Sequence, residues 1–196
     1  MQPFTTHIGK AVPLDRADVD TDQIIPAEYL KRIERTGFGP FLFDSWRSDP
    51  DFVLNRPGYA GATILLAGLN FGSGSSREHA VWALEDHGFR VVISPSFADI
   101  FRNNCTKVGL LPVELPADTV RRLMDLVLDD PATEITVDLD SKRVSAPGLE
   151  ATFEIDDFTR WCLLEGLDDI GLTLRHEDAI GTFEAARSPW LPTTAR

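Results

Sequence analysis

Residues 68–80 read Gly68-Leu69-Asn70-Phe71-Gly72-Ser73-Gly74-Ser75-Ser76-Arg77-Glu78-His79-Ala80. Glycine lets a backbone take positive φ and come close to a ligand. The hydroxyls of Ser73, Ser75 and Ser76 are hydrogen-bond donors, and the planar fork of Arg77 matches a carboxylate or a phosphate. A helix predicted to start at about Ser76 adds unpaired N–H groups and a partial positive charge. All of these parts attract an anion. A serine hydroxyl is a poor base unless positive charge and N–H donors stabilise its alkoxide. Ser75, just before Arg77 at the start of a helix, is placed to take a proton from a carbon next to a carboxylate. The plainer alternative is a turn with a serine N-cap and Glu78 supporting the first helical turn.

Known anion loops do not fit. A P-loop needs Lys and Ser/Thr after its last glycine, but Gly74 is followed by Ser75-Ser76-Arg77. The dinucleotide fingerprint needs a third glycine, where Arg77 stands. No serine here has a glycine two residues away on both sides, as a nucleophile elbow requires.

The loop must be held by regular elements. Residues 4–14 read as a strand. Ala62–Ala67 and Arg90–Ser94 are continuous apolar runs, as in strands buried on both faces. Helices are predicted from about Ser76 to His87, stopping at Gly88, and over Phe97–Asn104, with a strand at Leu110–Leu115. This β-loop-α-β-α-β order predicts right-handed parallel crossovers. Ala27–Glu34 reads as a short helix, and 36–61 as a long loop of the kind that is often functional. After Pro116, the helical spacing of Val120, Leu123, Met124, Val127 and Leu128 marks a helix. Ile135, Val137 and Leu139 alternate as a strand, with further β structure at Val144 and Thr152–Ile155. Asp156–Glu165 and Asp178–Arg187 read as helices. The chain is read as one domain over 1–196, with a helical C-terminal appendage from about 157 and a loose tail.

Composition narrows the partners. The net charge of −12 over 196 residues disfavours nucleic acid, although a few arginines can still build a positive pocket. Cys105 and Cys162 are far apart, and the four histidines lack metal-ligand spacing. No metal site is expected in this chain. No apolar run is long enough to cross a bilayer or to serve as a signal peptide, so a cytoplasmic location is expected.

Gly72-Ser73-Gly74-Ser75-Ser76-Arg77-Glu78-His79-Ala80 resembles the signature loop of the aconitase-superfamily swivelling domain. Asp20-Thr21-Asp22-Gln23-Ile24-Ile25-Pro26 resembles that domain's first substrate loop, and 96–104 with 109–112 its next helix and strand. Arg35–Gly39, Leu42–Arg47, Pro50–Asn55 and Leu164–Leu174 resemble the free-standing small subunits of bacterial 3-isopropylmalate dehydratases. The likeness is collinear over nearly the whole chain. It implies an α/β fold of three-layer β/β/α type, with a mostly parallel central sheet and C-terminal helices. It also implies a hydro-lyase acting through dehydration and rehydration of a small dicarboxylate. A 4Fe-4S cluster would be carried by a separate large subunit and none by this chain, which would be silent alone. Relatives acting on homocitrate-derived or citraconate-type substrates, and a non-enzymatic anion-binding module, are the alternatives.

The resemblance also implies roles. Ser75 matches the catalytic base and Arg77 the arginine that binds the substrate carboxylate and stabilises the alkoxide. Ser76 is a neighbouring substrate donor, and Asp22 an acid that orients the arginine and serine side chains. A second substrate arginine is assigned to Arg35, with Arg32 as the alternative. Tyr29, Leu30 and Ile33 offer apolar surface for the part of the substrate that differs between relatives. His79 is read as a locally bonded helix residue.

Overall fold

The structure, a computed structural model, describes residues 1–74 and 77–188. Its strands are β1 (Thr6–Leu14), β2 (Ile64–Ala67), β3 (Val91–Ser94), β4 (Leu111–Glu114), β5 (Glu134–Asp138), β6 (Arg143–Ala146) and β7 (Leu149–Thr152). Its helices are α1 (Thr21–Ile24), α2 (Asp44–Arg47), α3 (Glu78–His87), α4 (Asp99–Val108), α5 (Ala117–Asp129), α6 (Asp157–Glu165), α7 (Asp169–Leu174) and α8 (Glu177–Ala185).

The strands form one sheet in the order β4-β3-β2-β1-β5-β6-β7. β1 to β4 run parallel, β6 shares their direction, and β5 and β7 oppose it. This is the mostly parallel α/β sheet expected. β1 joins its two halves. Residues 6–10 pair with β5, and residues 11–14 with β2. The burial of β1 changes at the same place, from alternating in the first half to fully buried in the second. An antiparallel sheet tolerates water on one face, whereas parallel strands are covered on both. β2 and β3 accordingly bury every residue, while β5 alternates. The apolar stripe of α5, from Val120 to Val127, is buried, and the helix packs on β1, β2 and β3.

Several boundaries differ from expectation. α3 starts at Glu78, with Arg77 as its N-cap residue. α4 runs on to Val108, because Asn104 and Cys105 are buried and Gly109 (φ +87) supplies the left-handed cap. Phe97 lies outside α4 and forms a bridge with Phe71 instead. β7 stops at Thr152. Phe153 and Ile155 are buried, but they belong to the lead-in to α6 rather than to the sheet. Short α7 gave no periodic signal; Asp168 caps it by accepting the Gly171 N–H at 2.7 Å.

Residues 36–61 form a chain of short helical turns. Phe38, Leu42, Phe43 and Phe52 are buried there, each contributing about 1.5–3 kcal/mol by leaving water. The Phe38 N–H is bound by Asp86 Oδ2 at 2.7 Å, and the Phe43 N–H by the Ile24 carbonyl at 2.8 Å. The segment is thereby pinned to α3 and α1. At the C-terminus, α6 buries Cys162 and Leu163, whereas α8 is exposed throughout. Most of the expected tail, from 189 on, lies outside the described residues. No helix among the described residues is long and apolar enough to cross a membrane.

Asp156 caps α6 by accepting the Thr159 N–H at 2.9 Å. Bonds from the Thr159 side chain and backbone hold its carboxyl below the ordinary value of 3.8, outweighing desolvation. A lowered pKa stabilises the fold above the unfolded value, and that contribution is lost as pH falls through the folded one. Asp156→Ala should therefore cost about 1 kcal/mol in denaturant unfolding at neutral pH. The difference from the parent should shrink as the pH drops below 3.8, and Asp156→Asn should retain most of the stability.

Candidate functional site

The loops that follow β1, β2 and β3 meet at the carboxyl ends of these parallel strands, where open α/β sheets bind ligands. The loop after β2 is laced to the loop after β1. The Asp18 N–H donates to Leu69 O (2.8 Å), those of Gly72 and Ser73 to Val19 O (2.8 and 3.2 Å), and that of Thr21 to Ser73 O (3.0 Å). On its other side, the Phe71 N–H reaches Ser96 O and the Ala98 N–H reaches Phe71 O, both at 3.1 Å. Buried Ser94 places its hydroxyl 2.7 Å from the carbonyls of both Gly68 and Ser96.

At two glycines of this loop a side chain would collide with its neighbours. Gly72 has φ +79, and a Cβ there would stand 2.1 Å from the Phe101 ring. A Cβ on Gly68 would stand 2.2 Å from the Arg16 carbonyl oxygen. The backbone thus passes close against α4 and the loop after β1.

A cavity of about 250 Å³ opens beside this loop, lined by Thr21, Gly72, Gly74, Arg77 and the start of α4, Ala98–Phe101. Three helix starts converge on it. Thr21 is the first residue of α1, Arg77 the N-cap residue of α3 and Ala98 that of α4. Neither Arg77 nor Ala98 caps its helix with a side chain. The starts of the ten-residue helices α3 and α4 therefore add partial positive charge beside Arg77, while Asp99 brings a carboxylate to the same lining.

The structure brings Arg77 and Asp22 together. Arg77 Nη1 donates to Asp22 Oδ1 across 55 residues of sequence. The Arg77 side chain is 21% exposed and that of Asp22 53%. Asp22 is set on α1 by a capping box, in which Asp20 accepts the Gln23 N–H and the Gln23 side chain accepts the Asp20 N–H. Ser75 and Ser76 lie outside the described residues, between Gly74 and Arg77 in the chain.

The two remaining arginines sit elsewhere, and neither lines the Arg77 cavity. Arg35 lies 5.8 Å from the Trp82 ring centre and faces a second cavity of about 260 Å³ with Glu78, Asn104, Lys107 and Asp168. Arg32 is drawn inward over Phe38 and Phe41, and its Nη1 donates to Gly37 O at 3.3 Å. Tyr29 is taken up by packing: it stacks on Phe41 at 4.1 Å and donates its hydroxyl to Asp44 at 2.9 Å. Ile33 is 96% exposed. His79 packs edge-on to Phe38 at 5.3 Å. Burial pushes its imidazole below the ordinary value, against Glu78 and with help from Arg77.

Among the described residues no group of three or more His, Cys, Asp or Glu side chains could hold a metal ion. Cys105 and Cys162 are buried free thiols, and burial raises the pKa of each. Two residues of the site carried no expected role in the sequence, Asp18 and Asn70. Both are non-glycine residues with positive φ, at +55 and +57. An asparagine within a glycine loop and an aspartate opening an acidic turn are the residue types that tolerate this conformation, which was the available signal.

Residues 1–118 match the family described as the aconitase C-terminal domain, 121–157 the one described as LeuD_N, and 169–196 the C-terminal domain of the 3-isopropylmalate dehydratase small subunit. The chain is 68% identical over 195 residues to the 3-isopropylmalate dehydratase small subunit of Parafrankia sp. (strain EAN1pec), with 100% of both chains covered. It is 64% identical over 192 residues to that of Rubrobacter xylanophilus, with 98% of both covered. Among solved structures it is similar to a 3-isopropylmalate dehydratase from Methanocaldococcus jannaschii. The TM-score is 0.67 at 27% identity, covering 91% of this chain and 99% of that one.

Proposed function

Because the chain belongs to the 3-isopropylmalate dehydratase small-subunit family, with an aconitase C-terminal domain, we propose that it supplies the substrate-holding and proton-moving half of an isopropylmalate hydro-lyase. In this reading, water leaves 2-isopropylmalate to give 2-isopropylmaleate and returns at the neighbouring carbon to give 3-isopropylmalate, a step of leucine biosynthesis. The large subunit provides the other half of the site. Its 4Fe-4S cluster supplies Lewis-acid activation of the leaving hydroxyl.

Arg77 carries the reading. It lines a cavity on which helix starts converge, and Asp22 holds one corner of its guanidinium. A guanidinium fork has donors enough to hold Asp22 and a substrate carboxylate together. Ser75 is the base that removes the proton from the carbon beside that carboxylate. Its alkoxide is stabilised by Arg77 and by the positive end of α3. Ser76 donates to the substrate. Arg35, which lines the neighbouring cavity with Glu78, is the second substrate arginine; Arg32 is its alternative. The chain works in the cytoplasm and binds no nucleic acid.

The test is reconstitution with the large subunit and assay of 2-isopropylmalate beside homocitrate-derived and citramalate-derived substrates. Isopropylmalate should give the highest kcat/KM, and the chain alone should give no turnover. Preference for either competitor would overturn the substrate assignment.

A further inference from the structure

Between described residues, two bonds from side chain to side chain join the site loops. The first is Arg77–Asp22, at the cavity. The second is Asn70–Asp18, where Asn70 Nδ2 donates to Asp18 Oδ1 at 2.8 Å. The four backbone bonds between the loops connect Asp18, Val19 and Thr21 with Leu69, Gly72 and Ser73. They begin beside the Asn70–Asp18 bond and lead toward the Arg77–Asp22 pair. Asn70 also ties in the third loop, since its N–H donates to Ser96 Oγ at 2.9 Å.

Both members of the second bond are left-handed, Asp18 at φ +55 and Asn70 at +57. If these positions needed only the backbone conformation, glycine would serve them at less steric cost. Each instead carries a short polar side chain, and the two side chains meet across the loops. Backbone outliers held in this way are found where geometry matters to function.

We infer that Asp18 and Asn70 form a positioning latch that sets the register of the Gly68–Arg77 loop against α1, and so the placement of Arg77 on Asp22. They are positioning residues and need not touch substrate. The inference rests on the functional reading above only for its effect on turnover. The latch itself is a property of the isolated chain.

Asn70→Gly separates the latch from the fold, because glycine accepts φ +57 without strain and removes only the side-chain bond. In the isolated chain, hydrogen exchange of the Thr21, Gly72 and Ser73 amides should accelerate by about tenfold, the equivalent of one lost hydrogen bond, with the melting temperature little changed. In the reconstituted complex kcat should fall by about tenfold with a smaller change in KM, as expected when reacting groups are misplaced rather than lost. Asn70→Asp sets two carboxylates against each other and should be at least as damaging. Combining it with Asp18→Asn restores a donor–acceptor pair of reversed polarity and should recover both exchange protection and kcat.

Unchanged exchange at those amides in Asn70→Gly overturns the latch. So does a double variant no better than Asn70→Asp alone. Exchange that responds while kcat of the complex does not overturns the positioning role. A parent complex inert toward isopropylmalate overturns the functional reading, and the exchange comparison in the isolated chain still decides the latch.

Discussion

Ser75→Ala in the reconstituted complex should lower kcat by roughly a hundredfold to ten-thousandfold, the contribution of a positioned general base, with little change in KM. The hydroxyl is small and its removal leaves carboxylate binding to Arg77 and the helix starts, so ground-state affinity survives while the proton-transfer step is lost. A serine side chain becomes a competent base only when a guanidinium and helix N–H groups stabilise its alkoxide, which is the role proposed for Arg77 and the start of α3. Single-turnover loss of the substrate proton, followed by isotope exchange with solvent, gives the direct readout. Assembly with the large subunit should be unaffected. Near-normal turnover would assign the base to another group and leave Ser75 as part of the turn.

The second large effect is expected at Arg77. Arg77→Lys keeps the charge but replaces a planar fork by a single ammonium, which cannot hold Asp22 and a substrate carboxylate in fixed directions at once. A fall in kcat/KM on the order of a hundredfold is expected, carried by both constants. Asp22→Asn should be milder, within about tenfold, because the Asp22 side chain is 53% exposed and solvent screens what the pair contributes. If Arg77→Lys binds and turns over substrate as the parent does, the arginine is a structural partner of Asp22 and the carboxylate is held elsewhere.

The elements that carry these residues were largely readable from local patterns. The apolar runs of β2 and β3 announce burial on both faces, and glycines mark the left-handed ends of α3 and α6 at Gly88 and Gly166. Where local patterns misled, a tertiary contact had overridden the local signal. Asn103-Asn104 resembles a helix end, yet Asn104 is buried and α4 continues. The stretch 36–61 has the composition of a loop, yet its phenylalanines are drawn into the core and order it as short turns. Phe43 takes φ +53 to do so, a conformation costly for a bulky side chain, and its stacking on Trp46 at 5.4 Å helps to offset that cost.

The sequence by itself determined that the Gly68–Arg77 loop leaves a buried strand and carries the residue types that favour an anion, because glycine, serine, arginine and a helix start act through neighbours a few residues away. It also carried the family likeness that singles out Ser75, Arg77 and Asp22. Only the tertiary structure decided that Arg77 rests on Asp22, that Asn70 meets Asp18, and that Arg35 and Arg32 face different surroundings. Those contacts join segments more than fifty residues apart in two cases. They depend on the register in which β1 lies against β2, with Ala11 opposite Ile64. No local periodicity specifies that register; it follows from burying β1 and β2 against the same helix, α5, and the site loops inherit their alignment from it.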